Sequence, residues 1–170
     1  GAHFFLVDPV DGTKEFVKRG GEFTVNIGEI KDGVAVSGVV LAPAIGRLFV
    51  GALGEGAFEL FGDSLRAISA RAPAADGLVA VSSRSHPDAK TDELLKTLPI
   101  KGNTNAGSSL KFCLVAAGEA DIYPRAGQTM EWDTAAGHAV LAAAGGRMTT
   151  WEGAPFVYGK PDFRNGPFIA

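Results

Sequence analysis

The beginning of the chain consists of short apolar segments separated by tight turns. The segments at residues 4–7, 23–30, 34–41, 47–53 and 56–60 all have the composition of strands. The second and third are joined by Lys31-Asp32-Gly33, and the third and fourth by Ala42-Pro43-Ala44. Short strands joined by tight turns predict an antiparallel sheet, within which Pro43 and Gly46 mark a bend.

The pattern changes after the Pro- and Ala-containing linker at residues 71–77. Beyond it, strands are predicted at residues 78–82, 100–103 and 121–124, helices at 87–97, 109–118 and 133–144, and a final strand pair over 147–158. Strands that alternate with helices predict an α/β layer whose strand ends gather on one side. We therefore predict an α/β (α+β layered) chain. Its parts, 1–70 with an antiparallel sheet and 71–170 with the α/β layer, form one compact unit.

Two carboxylates follow the first apolar strand, in the hexapeptide Asp8-Pro9-Val10-Asp11-Gly12-Thr13. Pro9 disfavours helix at Asp8, so both carboxylates are expected on a turn, where oxygen ligands suit Mg²⁺. The Val10 carbonyl can add a ligand, and the Gly12 and Thr13 amides can face an anion. The same residues are also typical of a plain turn, with Asp11 or Thr13 capping a helical turn at residues 14–18. The hexapeptide alone leaves both interpretations open.

A third carboxylate, Asp133, begins a helix rich in small residues within Glu131-Trp132-Asp133-Thr134-Ala135-Ala136-Gly137. The helix dipole favours an ionised aspartate at this end, which suits a metal ligand. Taken alone, however, Asp133 is better interpreted as a helix cap.

Together these two motifs, in this order and at this separation, resemble the paired signatures of the inositol monophosphatase superfamily, the lithium-sensitive, magnesium-dependent phosphatases. The resemblance runs along essentially the whole chain and implies alternating helix and sheet layers of the inositol monophosphatase/fructose bisphosphatase type. Further segments resemble the CysQ-type branch of 3'(2'),5'-bisphosphate nucleotidases, which convert adenosine 3',5'-bisphosphate to AMP and phosphate. They are Asp11-Gly12-Thr13-Lys14-Glu15-Phe16, Gly21-Glu22-Phe23-Thr24-Val25-Asn26-Ile27, Ser83-Arg84-Ser85-His86 and Gly107-Ser108-Ser109-Leu110-Lys111-Phe112-Cys113.

The resemblance implies a role for each matching residue. Asp8, the Val10 carbonyl, Asp11 and Asp133 are expected to bind two or three Mg²⁺ ions. Gly12 and Thr13 are expected to bind phosphate, with Asp11 and Thr13 catalytic and the Thr13 hydroxyl orienting water. Candidate nucleotide contacts by resemblance are Ser83, His86, Ser109 and Lys111, to which Arg125 is added for its charge.

The resemblance also implies a segment preceding Asp8 that supplies a metal-binding glutamate and another acidic residue. We expect this N-terminal part to be absent from the chain, and no residue here is assigned those roles. Three functions therefore remain open. They are the bisphosphate nucleotidase, an inositol or sugar phosphate phosphatase, and a metal- or nucleotide-binding remnant without turnover.

Charge, cysteine content and hydrophobicity limit the kinds of partner and location that we expect for this chain. The net charge is −3 and the basic residues form no long cluster, which argues against a nucleic acid polymer as partner. The single cysteine, Cys113, excludes an internal disulfide and is expected in the core; it indicates an intracellular protein. No apolar run approaches the length of a transmembrane helix. We expect a cytoplasmic protein; the family adds a homodimer and peripheral association with the inner membrane as further expectations.

Overall fold

The computed structural model describes residues 1–83 and 88–170. Its first layer is a six-stranded antiparallel sheet in which each strand pairs with the next along the chain. The strands are β1 (His3–Asp11), β2 (Thr24–Lys31), β3 (Val34–Ala42), β4 (Arg47–Ala52), β5 (Gly56–Phe61) and β6 (Ser64–Ile68). A short helix, α1 (Thr13–Val17), follows β1, and a 3₁₀ turn at Pro43–Ile45 makes the predicted bend. The antiparallel sheet is confirmed, and β6 extends it beyond the predicted strands.

The first strand differs from prediction, because it does not end at Asp8. β1 continues to Asp11, and its pairing with β2 is irregular between Asp8 and Asp11. β1 lies at the edge of the sheet, where a proline without an N–H can interrupt the ladder without leaving a neighbouring strand unpaired. The two carboxylates therefore lie on an irregular strand end rather than on a turn after the strand.

The second part of the chain alternates strands with helices, as predicted. β7 (Leu78–Ser83) and β8 (Ile100–Ala106) pair in parallel. The helices are α2 (Ala89–Thr97), α3 (Leu110–Ala116) and α4 (Glu131–Ala143). The remaining strands are two residues long, namely β9 (Pro124–Arg125), β10 (Thr129–Met130), β11 (Thr149–Thr150), β12 (Arg164–Asn165) and β13 (Phe168–Ile169).

Two strand predictions in this part are wrong. Within residues 121–124, Ile122 makes one parallel bridge, and Pro124 already begins β9, which pairs with β13. The predicted strand pair over 147–158 is reduced to a single bridge between Thr149 and Pro155. Since Pro155 has no N–H to donate, this hairpin cannot extend, and β11 pairs with β13 instead.

Helix α4 packs against the sheet at three glycines that lie side by side on β2, β3 and β4. Gly28 pairs with Gly38, and Gly38 pairs with Gly51. A Cβ on Gly28 would lie 2.7 Å from Ala135 Cβ, and one on Gly51 would lie 2.8 Å from Val140 Cα. These distances are shorter than van der Waals contact, so the glycines allow the helix to approach the sheet backbone. This packing fixes where the N-terminal end of α4 lies relative to β1.

The cysteine and two of the histidines have structural surroundings. Cys113 is buried in the core, as predicted. His3 lies 2.7 Å from Glu29, and His138 Nδ1 lies 3.0 Å from the Tyr158 hydroxyl.

Among the described residues, no helix has the length and hydrophobicity needed to span a bilayer. The division of the chain at residues 71–77 stays a prediction.

Candidate metal centre and its pocket

The irregular end of β1 places Asp8 and Asp11 close together. The Val10 N–H donates to Asp8 Oδ1 at 3.0 Å, which holds the first carboxylate against its own strand. Asp11 Oδ2 accepts a 2.7 Å hydrogen bond from the Ser109 N–H, just before α3. Gly12, rather than Asp11 or Thr13, is the N-cap of α1, and no side chain caps that helix. The capping interpretation of Asp11 and Thr13 is therefore wrong.

Asp133 reaches the same place from the first turn of α4. One of its oxygens, Oδ2, accepts the Met130 N–H at 2.7 Å, so the residue does stabilise its helix end, although Met130 is the N-cap. Carboxylate oxygens of Asp8, Asp11 and Asp133 all lie within 4.8 Å of one another. Asp133 therefore both stabilises the N-terminal end of α4 and belongs to the carboxylate cluster.

The pKa values of all three carboxylates are raised, mainly by burial. Burial raises the pKa of Asp11 to about 7, with further contributions from the charges of Asp133 and Asp8, while Lys111 and the Ser109 N–H act in the opposite direction. Burial is also the main reason why the pKa values of Asp8 and Asp133 are raised. Clustered carboxylates in a buried setting need a cation to hold their negative charge. An all-oxygen donor set of this kind fits Mg²⁺ by its chemistry.

A pocket of about 280 Å³ opens beside the cluster. Its wall contains Asp11 and Asp133 together with Gly12 and Thr13 at the start of α1. Gly12 has φ 84, in the left-handed region, and a Cβ there would overlap the Ser108 hydroxyl. Glycine is therefore required at this position for both conformation and space.

Three of the candidate substrate residues, Ser83, Lys111 and Arg125, also line this pocket. The Lys111 ammonium donates to the Ser108 carbonyl at 2.7 Å and lies 5.2 Å from the centre of the Tyr123 ring. Burial lowers the pKa of Lys111 to about 8, although the Asp11 carboxylate opposes that change. The pocket therefore holds cationic groups directly beside the carboxylates. His86 lies outside the described residues.

Ser109 lies behind the carboxylates and is buried. Its hydroxyl donates to Asn26 Oδ1 at 2.6 Å and lies 2.8 Å from the Thr24 hydroxyl. Thr24 in turn donates to Asp11 Oδ2 at 3.5 Å. The hydroxyl thus belongs to a polar network that supports Asp11, and it makes no part of the pocket wall among the described residues.

Several residues around the site were missed by the sequence reasoning. Thr24 and Asn26 occupy alternate buried positions of β2, and polar residues on the inward face of a strand are a signal that the sequence does contain. Ser108 donates from its hydroxyl to the carbonyls of Asp11 and Glu22, both at 2.9 Å. The pocket wall is completed by Lys14, Glu15, Ser108, Phe112, Tyr123, Gln128, Thr129 and Thr134.

Comparison with known proteins gives one consistent result. The family model described as the inositol monophosphatase family matches residues 2–167. The 3'(2'),5'-bisphosphate nucleotidase CysQ of Escherichia coli K12 is 50% identical over 157 residues, which cover 91% of this chain and 62% of that protein. The protein of the same name from Buchnera aphidicola is 45% identical over 172 residues, covering 98% of this chain and 63% of that protein. The chain therefore spans less than two thirds of the length of these curated relatives.

A solved structure agrees in fold. The crystal structure of CysQ from Bacteroides thetaiotaomicron, described as a bacterial member of the inositol monophosphatase family, is 40% identical and superposes with a TM-score of 0.86. The match covers 98% of this chain and 69% of that chain. The layered α/β arrangement predicted from the resemblance is thereby confirmed.

Proposed function

The chain belongs to the inositol monophosphatase family, and from this premise we propose that it is a magnesium-dependent phosphomonoester hydrolase of the bisphosphate nucleotidase type. The observation that carries the proposal is the convergence of Asp8, Asp11 and Asp133 within 4.8 Å beside a pocket that also contains Lys111 and Arg125. Carboxylates for metal ions and cations for phosphate occupy neighbouring walls of one cavity.

In this proposal two or three Mg²⁺ ions would be held by Asp8, Asp11, Asp133 and the Val10 carbonyl. Such ions supply Lewis acidity and lower the pKa of bound water. Thr13, at the start of α1, orients the attacking water through its hydroxyl, and the Gly12 and Thr13 amides face the phosphoryl oxygens, as the family resemblance implies. Water adds to phosphorus as the ester P–O bond breaks, and the proton that the water loses ends on the leaving oxygen. The products are an alcohol and inorganic phosphate.

The substrate that we propose is adenosine 3',5'-bisphosphate, cleaved to AMP and phosphate. The support is the 50% identity to a protein named for that nucleotidase activity. Ser83, Lys111 and Arg125 line the same pocket and are the proposed contacts, together with His86. The positive charges of Lys111 and Arg125 suit a substrate that carries a second phosphate group. Lithium sensitivity, a homodimer and a cytoplasmic location, with peripheral inner-membrane association, are proposed on family grounds.

The test is a phosphate-release assay in Mg²⁺ that compares adenosine 3',5'-bisphosphate with inositol 1-phosphate. We expect faster release from the nucleotide and none when the metal is chelated. Asp11→Asn is the matched control, since it removes one ligand charge while keeping an oxygen at the same place. Faster turnover of the inositol ester would assign the chain to sugar phosphates. Absence of Mg²⁺-dependent release from both substrates would favour a binding protein without turnover.

A further inference from the structure

The loop that follows Arg125 is held by the first turn of α2. Thr91 Oγ1 accepts the Ala126 N–H at 3.0 Å and donates its own proton to Asp88 Oδ2 at 2.9 Å. Asp88 is the N-cap of α2 and also accepts the Lys90 N–H at 3.1 Å. A single hydroxyl thus connects a helix cap to the backbone of the loop.

Arg125 itself lies at the boundary between two cavities. It lines the metal pocket and also a neighbouring cavity of about 210 Å³, whose wall includes Asp88 and Thr91. Its Nε–H donates to the Gly127 carbonyl at 3.4 Å. On the other side Arg125 is paired with Phe168 in the short ladder of β9 and β13. The backbone at Arg125 is fixed by that ladder, and Ala126, the residue after it, is held by Thr91 of α2.

The charge state of Asp88 supports this connection. Burial alone would raise the pKa of Asp88, but hydrogen bonds from the Thr91 hydroxyl and from the N–H groups of Lys90, Gly127 and Ala126 lower it below its ordinary value. An ionised acceptor makes stronger hydrogen bonds than a neutral one. The carboxylate therefore holds Thr91 and the loop backbone at the same time.

We propose that Thr91 is a positioning residue for substrate binding: by accepting the Ala126 N–H, its hydroxyl holds the loop that keeps the Arg125 guanidinium at the wall of the metal pocket. The inference rests on the proposed function, in which Arg125 contacts the substrate. In this inference α2, which lies outside the metal motifs, affects the affinity for the phosphorylated substrate.

The hydroxyl group makes a sharp test possible. Thr91→Val keeps the shape of the side chain and removes both hydrogen bonds, whereas Thr91→Ser keeps both and removes a methyl group. Thr97→Val is the matched control, because Thr97 ends the same helix, is exposed and bonds only to the Leu94 carbonyl among its described side-chain contacts. Both variants make the same Thr-to-Val change within one helix.

We expect Thr91→Val to raise KM for adenosine 3',5'-bisphosphate about fivefold, the effect of losing roughly one net hydrogen bond. The kcat should stay within about twofold, because the metal ligands are untouched. Thr91→Ser and Thr97→Val should both keep the wild-type KM. An unchanged KM in Thr91→Val, or a Thr91→Ser variant as impaired as Thr91→Val, would overturn the proposal.

A second readout does not depend on turnover. The arginine Nε–H resonances in a ¹⁵N correlation spectrum report on the Arg125 side chain, which Arg125→Lys identifies by loss of one signal. Thr91→Val should shift or broaden that signal, while Thr91→Ser and Thr97→Val leave it in place. An unmoved signal in Thr91→Val would refute the positioning role. If the wild type released no phosphate, the proposed function would fail, and the spectrum would still decide whether Thr91 holds Arg125.

Discussion

The Ser109 N–H donates a 2.7 Å hydrogen bond to the Asp11 carboxylate, and this contact joins the end of β1 to the start of α3. The two residues are 98 positions apart in the chain. Asp11 is thereby held in place by a backbone group, so its orientation does not depend on the side chain of Ser109.

Replacing Asp11 by Asn should stabilise the metal-free protein while abolishing activity. The folded state raises the pKa of Asp11 to about 7, mainly through burial, so above that pH its ionised form opposes folding. An amide removes the charge and keeps an oxygen that can accept the Ser109 N–H. We expect a gain on the order of 4 kcal/mol at pH 8 that shrinks as the pH falls below 7.

Thermal unfolding of wild type and variant at pH 8 and below pH 7 measures this gain in stability, and repeating it with Mg²⁺ measures metal binding. Wild-type protein should gain stability when Mg²⁺ is added, since the ion binds the native carboxylates. Asp11→Asn should show a smaller shift and no Mg²⁺-dependent phosphate release. Wild-type turnover in the variant would refute a ligand role for Asp11.

Ser109→Ala should reduce stability without changing KM. The serine hydroxyl satisfies the buried Asn26 oxygen and contacts Thr24, so its loss leaves an unpaired polar group and costs about 1–2 kcal/mol. The backbone hydrogen bond to Asp11 survives the change. Urea unfolding combined with steady-state kinetics checks both halves of this prediction. A raised KM at unchanged stability would instead restore Ser109 as a direct substrate contact.

Gly28→Ala should destabilise the fold and weaken metal binding together. The new Cβ would lie 2.7 Å from Ala135 Cβ, which forces α4 away from the sheet and carries Asp133 with it. Overpacking of this kind costs about 1–3 kcal/mol. The stability is measured by urea unfolding, and the Mg²⁺ affinity by titration calorimetry.

Gly102→Ala is the control for that substitution. Gly102 also lies in a strand, yet a Cβ there would meet nothing closer than Val79 Cγ2 at 3.8 Å. It should be neutral or slightly stabilising, because alanine loses less backbone entropy than glycine on folding. Equal losses in the two variants would contradict the helix-approach explanation.

His138 should make the protein less stable as the pH falls from 6.5 towards 4. Burial, and to a lesser extent the charge of Lys160, lowers the pKa of His138 to about 4 in the folded state. Between that value and its ordinary pKa the unfolded chain binds a proton that the folded chain does not, so stability is lost as the pH falls. The loss should reach about 3 kcal/mol and level off below pH 4.

His138→Gln removes that titration. Urea unfolding across this pH range should show a shallower pH dependence in the variant than in the wild type. Asp11 titrates with the opposite sign in both proteins, so the difference between the two curves isolates His138. Parallel curves would argue against a neutral, buried imidazole.

Local sequence patterns determined much of this protein. The alternation of buried and exposed residues along β2 is a property of the strand itself, and the antiparallel sheet followed from such patterns together with the turn residues. The paired motifs at Asp8–Thr13 and around Asp133 were sufficient to predict the family and the members of the carboxylate cluster. Patterns with periods of two or 3.6 residues depend on neighbours in the chain, so they can be interpreted without a fold.

The tertiary structure alone decided which groups complete the site. Contacts between distant segments place Ser109 behind Asp11, with Thr24 and Asn26 supporting it. Another such contact lets Thr91 hold the loop after Arg125. The approach of α4 over Gly28 sets the distance between Asp133 and β1 by close packing. Such contacts are fixed by how surfaces fit in three dimensions, which the order of residues along one strand or helix does not specify.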